Sequence, residues 1–181
     1  MNRPTYAAIQ THSPNKPVLV FVSSRRQTRL TALDLIAFSA ADGDPRKWLH
    51  MSDAQLEAAL AHVSEPNLRH MLSFGIGMHH AGLNAKDRTV VERLFLEQKI
   101  QVLVCTSTLA WGVNFPAHCV VVKGTEFYDA KVKRYTPFPI TDLLQMIGRA
   151  GRPQFDTEAK AVVLVHEPLK VRRRKRAAAC I

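Results

Sequence analysis

KIQVLVCTSTLAWGVNFPAHCVVVKG, residues 99–124, carries two runs, 100–105 and 119–123, that are almost wholly apolar and rich in β-branched side chains. Neither run alternates polar with apolar, so each reads as a strand covered on both faces rather than one lying on a wetted surface. Outward from this stretch the same signal recurs at 18–22 and 161–165, and more weakly at 74–78. Helical patterns fill the intervals. Leu30, Leu33 and Ala37, with Ile36 beside them, stand at helical spacing, and 51–62 and 67–72 read as two short helices. After a cap at Asn84, the residues Val90, Val91, Leu94 and Phe95 form one apolar stripe. A polar, proline-broken stretch at 41–46 ends the first of these helices. Buried strands alternating with amphipathic helices predict an α/β fold of three layers around a mainly parallel sheet.

A chain of 181 residues with 46% hydrophobic content supports one core. Residues 1–17, with Pro4, Pro14 and Pro17 among polar neighbours, predict an extended lead-in from a preceding domain; 18–169 form the domain itself, and 170–181 a basic, disordered tail. The formal charge is +10, but six of the 25 basic residues lie in that tail. Without them 19 basic residues face 15 acidic ones, so charge alone is a weak sign of nucleic acid. Cys105, Cys119 and Cys180 have no zinc or redox spacing and read as reduced thiols, two of them in core strands. No apolar run approaches the roughly 20 residues of a membrane span, and the N-terminus lacks a signal pattern. A soluble, intracellular protein without a membrane partner is expected.

The chemistry concentrates in QMIGRAGRP, residues 145–153. Thr141 reads as a helix cap, Asp142 as a first-turn acid, and Gly151 with Pro153 as the stop. On such a helix Gln145, Arg149 and Arg152 fall within an arc of roughly 60°. Paired guanidiniums suit the oxygens of a transferring phosphoryl group, where one arginine is worth about 10³ to 10⁵ in rate. The competing reading is a solvated basic helix end.

With three further blocks in order, this string resembles the motifs of superfamily 2 nucleic-acid helicases. VLVFVSSRR (18–26) is similar to motif IV, MHHAGL (78–83) to the next block of the large processive members, TSTLAWGVNFPA (106–117) to motif V, and 145–153 to motif VI. Within the superfamily the likeness is strongest to the C-terminal cassette of helicase subunits of activating signal cointegrator complexes, and more distant to spliceosomal unwinding helicases. The resemblance implies a second RecA-like domain, with Arg149, Arg152 and Gln145 acting at ATP and Gly112 and Asn114 on the ATP side. Nucleic acid falls to Ser23, Ser24, Arg25, His80, Gly82, Thr106 and Thr108. Taken alone, Ser23, Ser24 and Arg25 also fit a helix cap, and 106–114 an ordinary strand-to-helix turn. His79 and His80 invite a metal, yet no third ligand stands at a useful spacing, so no metal is expected.

Between the last two blocks, KGTEFYDAKVKRYTPFP (123–139) predicts a β-hairpin with a charged tip. In related helicases a strand-separating hairpin stands here. By that analogy Phe127, Tyr128 and Tyr135 stack on bases, with Lys131 and Arg134 beside them; a purely structural hairpin with half-buried tyrosines is equally open. The sequence has no G-x-x-x-x-G-K-[ST] loop and no D-E-x-H-like block. ATP with Mg²⁺ is therefore expected mainly on a first RecA-like domain of the same full-length chain, and this polypeptide alone is not expected to hydrolyse it. The implied partners are single-stranded or forked nucleic acid, that first domain, and subunits of a larger complex. The helicase likeness also implies 3′ to 5′ movement and work in DNA repair in the nucleus, or in the cytosol. RRRKR, 172–176, reads as an import signal or as a solvated basic run. A truncated, non-catalytic module that binds nucleic acid or protein is the alternative function.

Overall fold

A computed structural model of the chain describes residues 1–112, 115–152 and 155–165. Asn114, Pro153, Cys180 and the basic tail lie outside the described residues. In chain order the elements are α1 (Asn2–His12), β1 (Val18–Val22), α2 (Arg25–Ala41), α3 (Asp53–Leu60), α4 (Pro66–Leu72), β2 (Ile76–His79) and α5 (Ala85–Leu96). There follow β3 (Val102–Thr106), α6 (Thr108–Gly112), β4 (Cys119–Lys123), β5 (Glu126–Asp129), β6 (Arg134–Pro137), α7 (Ile140–Ile147) and β7 (Lys160–Leu164).

Five strands form one wholly parallel sheet in the order β2-β3-β1-β4-β7, and β5 pairs with β6 as a separate antiparallel hairpin. The connection from β1 to β2 runs one way along the sheet, while those from β2 to β3, β3 to β4 and β4 to β7 run the other. Right-handed crossovers then put α2, α3 and α4 on one face and α5, α6 and α7 on the other. This is the expected three-layer, RecA-like arrangement with its hairpin insertion. All five residues of β1, and the first four of β3 and of β4, are buried, as their unbroken apolar runs require. Cys105 and Cys119 are free thiols within two of these strands; burial pushes Cys105 far up and Cys119 up to about 11.

Three expectations need correction. The lead-in is not extended: α1 occupies Asn2–His12, with Pro4 in its first turn, where the missing N–H has no helical partner to lose. Thr5, Tyr6, Ala8 and Ile9 are buried along it, and Tyr6 packs edge-on to Trp48 with ring centroids 5.9 Å apart. In α2 the buried face is Thr28, Thr31, Ala32, Leu35, Ile36 and Ser39, whereas Leu30 and Leu33 are half-buried and Ala37 is exposed. Hydroxyls disguise that face as polar, because Thr28 Oγ1 donates to Arg25 O at 2.6 Å and Ser39 Oγ to Ile36 O at 3.0 Å, so neither needs water. Lastly, β7 is not covered on both faces; as an edge strand it leaves Lys160, Ala161 and Val163 exposed.

The Asn84 cap forms as expected, accepting from Asp87 N at 2.7 Å, and Val90, Val91, Leu94 and Phe95 are buried. Asp87 was not legible as a core group. Fully buried, its carboxylate accepts from Ser64 N (2.8 Å), Glu65 N (3.1 Å) and the Asn84 amide (2.9 Å), joining α5 to the lead-in of α4.

Candidate nucleic-acid and nucleotide-facing site

In a parallel sheet every strand delivers its following loop to the same edge, and ligands gather where neighbouring loops diverge to opposite faces. Here β1 and β3 are neighbours; β1 sends its chain to the α2 face and β3 to the α6 face. The crevice at their carboxyl ends is bounded by Ser23, Ser24 and Arg25 on one side and by Thr106 and Thr108 on the other. Register keeps the lips level: Val22 pairs with Thr106, and His79 with Cys105. Residues from three of the resembling blocks therefore meet on one edge.

Ser24 is the α2 N-cap, accepting from Gln27 N at 3.3 Å, so the cap reading holds for this hydroxyl. Arg25, at the first position of α2, extends across to the loop after β2, where a Cβ at Gly82 would lie 2.9 Å from its Nη1. Gly82 N donates to His80 Nδ1 at 3.1 Å. Partial burial, and then the Arg25 charge, push the His80 pKa below its usual 6.5. Thr106 and Thr108 hydroxyls share a hydrogen bond of 3.0 Å. The result is a short row of small donors, a neutral imidazole and one guanidinium, chemistry suited to phosphate oxygens. His79 faces inward instead, 2.8 Å from Glu92 Oε1. Among the described residues no group of His, Cys, Asp and Glu is placed to hold a metal, and no helix is long and apolar enough to cross a membrane.

The arginine segment departs from its expected geometry. Helix α7 begins after Pro139, not after a Thr141 cap, and ends at Ile147 with Gly148 as its C-cap. Gln145 is exposed on that helix, but Arg149 and Arg152 lie beyond it, and the three do not share one helical face. Physically, Gly148 and Gly151, the latter at φ +110°, release the helix early, and the strand-like pairing of Ala150 with Ala117 takes over. Ala117 N donates to Arg149 O at 3.0 Å and Gly151 N to Ala117 O at 2.7 Å.

The two guanidiniums then go different ways. Arg149 is half-buried and donates from Nη2 to the carbonyl of Ala110 in α6. Arg152 grips Asp156 with two bonds of 2.7 and 2.9 Å and touches Gln98 at 3.2 Å. Both arginines were expected to project toward a triphosphate; in this structure Arg152 is engaged internally by Asp156. Sequence reading missed Asp156, although its i+4 spacing from Arg152 was available as a signal. Gly112 closes α6, beside the Arg149 contact.

At the hairpin, Tyr128 and Tyr135 are cross-strand partners, 5.7 Å apart in an edge-to-face pair, and remain 56% and 68% exposed. Lys131 and Arg134 are exposed at its tip. Phe127 turns the other way, is half-buried and packs on buried Phe138 at 5.2 Å.

A family model described as the helicase conserved C-terminal domain matches residues 50–154. The chain belongs to that family. This helicase C-terminal domain is 66% identical, over 170 residues, to DExH-box ATP-dependent RNA helicase DExH14 of Arabidopsis thaliana, covering 94% of the chain and 8% of that protein. Activating signal cointegrator 1 complex subunit 3 is similar at 65% identity over 167 residues in Danio rerio, covering 92% of the chain and 11% of the relative. The Homo sapiens protein of that name is 64% identical over 167 residues, covering 92% and 8%. The helicase domain therefore spans 8 to 11% of the length of these relatives.

Proposed function

We propose that this helicase C-terminal domain holds single-stranded nucleic acid along its carboxyl edge while offering Arg149 to ATP bound, with Mg²⁺, by a first RecA-like domain of a longer chain. The carrying observation is the β1/β3 crevice, where Ser23, Ser24, Arg25, His80, Gly82, Thr106 and Thr108 line up on loops held in register. These groups contact backbone rather than base edges, which suits a motor that must pass over any sequence. A relative named as an ATP-dependent RNA helicase supports the ATP and nucleic-acid parts of the reading, and one named as a complex subunit supports partner proteins. Movement 3′ to 5′ follows from the family likeness.

The surface around Arg149 supports a second domain beside it. Trp111 on α6 and Leu144 on α7 are each 59% exposed, and Ile140 is exposed nearby. Apolar side chains of this size at the surface mark a contact face. Closure over ATP covers them and excludes water from the transferring phosphoryl group.

The test is single-turnover hydrolysis by the intact helicase chain. Arg149→Ala should slow it by about 10³-fold or more while leaving binding of a non-hydrolysable ATP analogue within about threefold of the parent. Parental turnover by that variant overturns the assignment.

A further inference from the structure

Between the crevice and the hairpin stands a lysine to which neither surface has yet given a role. Lys123 ends β4, next to β1 in the sheet. Because Phe21 of β1 pairs with Val122, Lys123 is level with Val22 at the carboxyl edge. Half-buried, it turns toward α2, donating from Nζ to Thr31 Oγ1 at 2.7 Å and to Gln27 Oε1 at 3.2 Å. Both acceptors are neutral, and no carboxylate among the described residues is ion-paired with it. Burial pushes its pKa below the usual value, against a smaller upward pull from Asp34 at longer range. An ammonium has three donors, so one remains to be used.

Beside it opens a pocket of about 350 Å³ whose walls include Ser23, Gln27, Lys123, Glu126 and Tyr135. Ser23 belongs to the crevice and Tyr135 to the exposed face of the hairpin, so the pocket joins the two surfaces. We infer that it takes one backbone phosphate of the single strand, with the Lys123 ammonium as its cation, between the crevice and the tyrosine. The inference rests on the reading above, that this edge carries nucleic acid. Gln27 and Thr31 hold the ammonium in place before a strand arrives, which lowers the ordering cost of binding. A phosphodiester then supplies the counter-charge that the lysine lacks. Glu126 on the wall favours this singly charged anion over free phosphate or a nucleotide, whose repulsion from a carboxylate is greater.

Neutralising the strand one linkage at a time tests this in the intact helicase chain without nucleotide. Oligonucleotides in which a single linkage is an uncharged deoxynucleoside methylphosphonate are titrated by filter binding against the parent, Lys123→Gln, Lys123→Arg and Arg25→Gln. At one linkage the replacement should cost the parent roughly tenfold in affinity and Lys123→Gln almost nothing. Lys123→Gln should bind the unmodified strand roughly tenfold more weakly than the parent. Its slope of log affinity against log salt should fall in magnitude by about 0.7, while Lys123→Arg keeps the parental slope. A Lys123→Gln variant with the parental slope and the parental response at every linkage overturns the inference, even if its affinity is lower throughout, since that pattern marks a wall residue only. Inorganic phosphate substituted for chloride at constant ionic strength should displace the strand equally from the parent and from Lys123→Gln. Preferential displacement from the parent, with no linkage singled out, shows a site for free phosphate and overturns the inference too. If Arg25→Gln also binds as the parent does and no linkage matters to any variant, the reading of the crevice has failed and the inference falls with it.

Discussion

His80 shows how a single residue inherits its behaviour from two neighbours that are distant in sequence. Partial burial favours the neutral ring, and Arg25, brought across from the start of α2, opposes a second positive charge. In the folded domain the proton is therefore lost at a lower pH than in the unfolded chain. Between the two midpoints the unfolded state binds more protons, so this residue's contribution to stability is intact above about pH 6.5 and falls as the solution is acidified below it. Histidine NMR titration should place the His80 midpoint below 6.5, and Arg25→Gln should move it upward. An unchanged midpoint in that variant would show that the guanidinium does not face the ring. Legibility at this scale was uneven. Ser23 to Arg25, His80, Gly82, Thr106 and Thr108 were recognisable because motif position marks them, and the fold does bring them to one edge. Asp87 and Asp156 were not, since a carboxylate that gathers donors from other segments looks in the sequence like any surface acid.

Elements were read well where hydrophobicity alone decides and poorly where small or polar residues do the packing. The limits of β1 and β4 match their apolar runs residue for residue, because nothing but a covered strand accommodates such runs. For α7 the helical signal continued through Arg152, but two glycines and a pairing to Ala117 that no local pattern contains ended the helix at Ile147. The hairpin is a middle case: its existence was legible from the charged tip between tyrosines, while its sidedness required the register. Because Tyr128 and Tyr135 are direct partners on one face and Phe127 lies on the other, the three aromatics separate into two roles. Replacing Tyr135 by Ala should weaken binding to a forked substrate by about 1 to 3 kcal/mol, the worth of one stacked base, with little change in thermal unfolding. Phe127→Ala should do the reverse, lowering the unfolding temperature through lost contact with Phe138. Equal loss of fold stability from both substitutions would assign the hairpin a purely structural role.

The parallel sheet turns separate motifs into one surface, and on the proposed reading its charge sets how that surface would bind nucleic acid. Apart from the tail the chain has 19 basic and 15 acidic residues, so broad electrostatic attraction is modest, and affinity has to come from a few placed contacts at the carboxyl edge. Of the crevice residues named above, Arg25 carries a permanent positive charge, and the others donate through hydroxyls, an imidazole or backbone N–H groups. Each phosphate neutralised by a cation on a single strand contributes a slope of about −0.7 in a plot of log affinity against log salt, whereas neutral donors contribute almost none. Filter-binding titrations of single-stranded nucleic acid across a salt series should therefore give a shallow slope once the basic tail at 170–181 is removed. In that background Arg25→Gln should reduce its magnitude by about 0.7, while Thr106→Val should lower affinity in parallel at every salt concentration. An unaltered slope in Arg25→Gln would mean that its guanidinium serves the His80 loop alone. Phosphate contacts at this edge would then rest on the neutral donors and on Lys123, which lines a pocket together with Ser23.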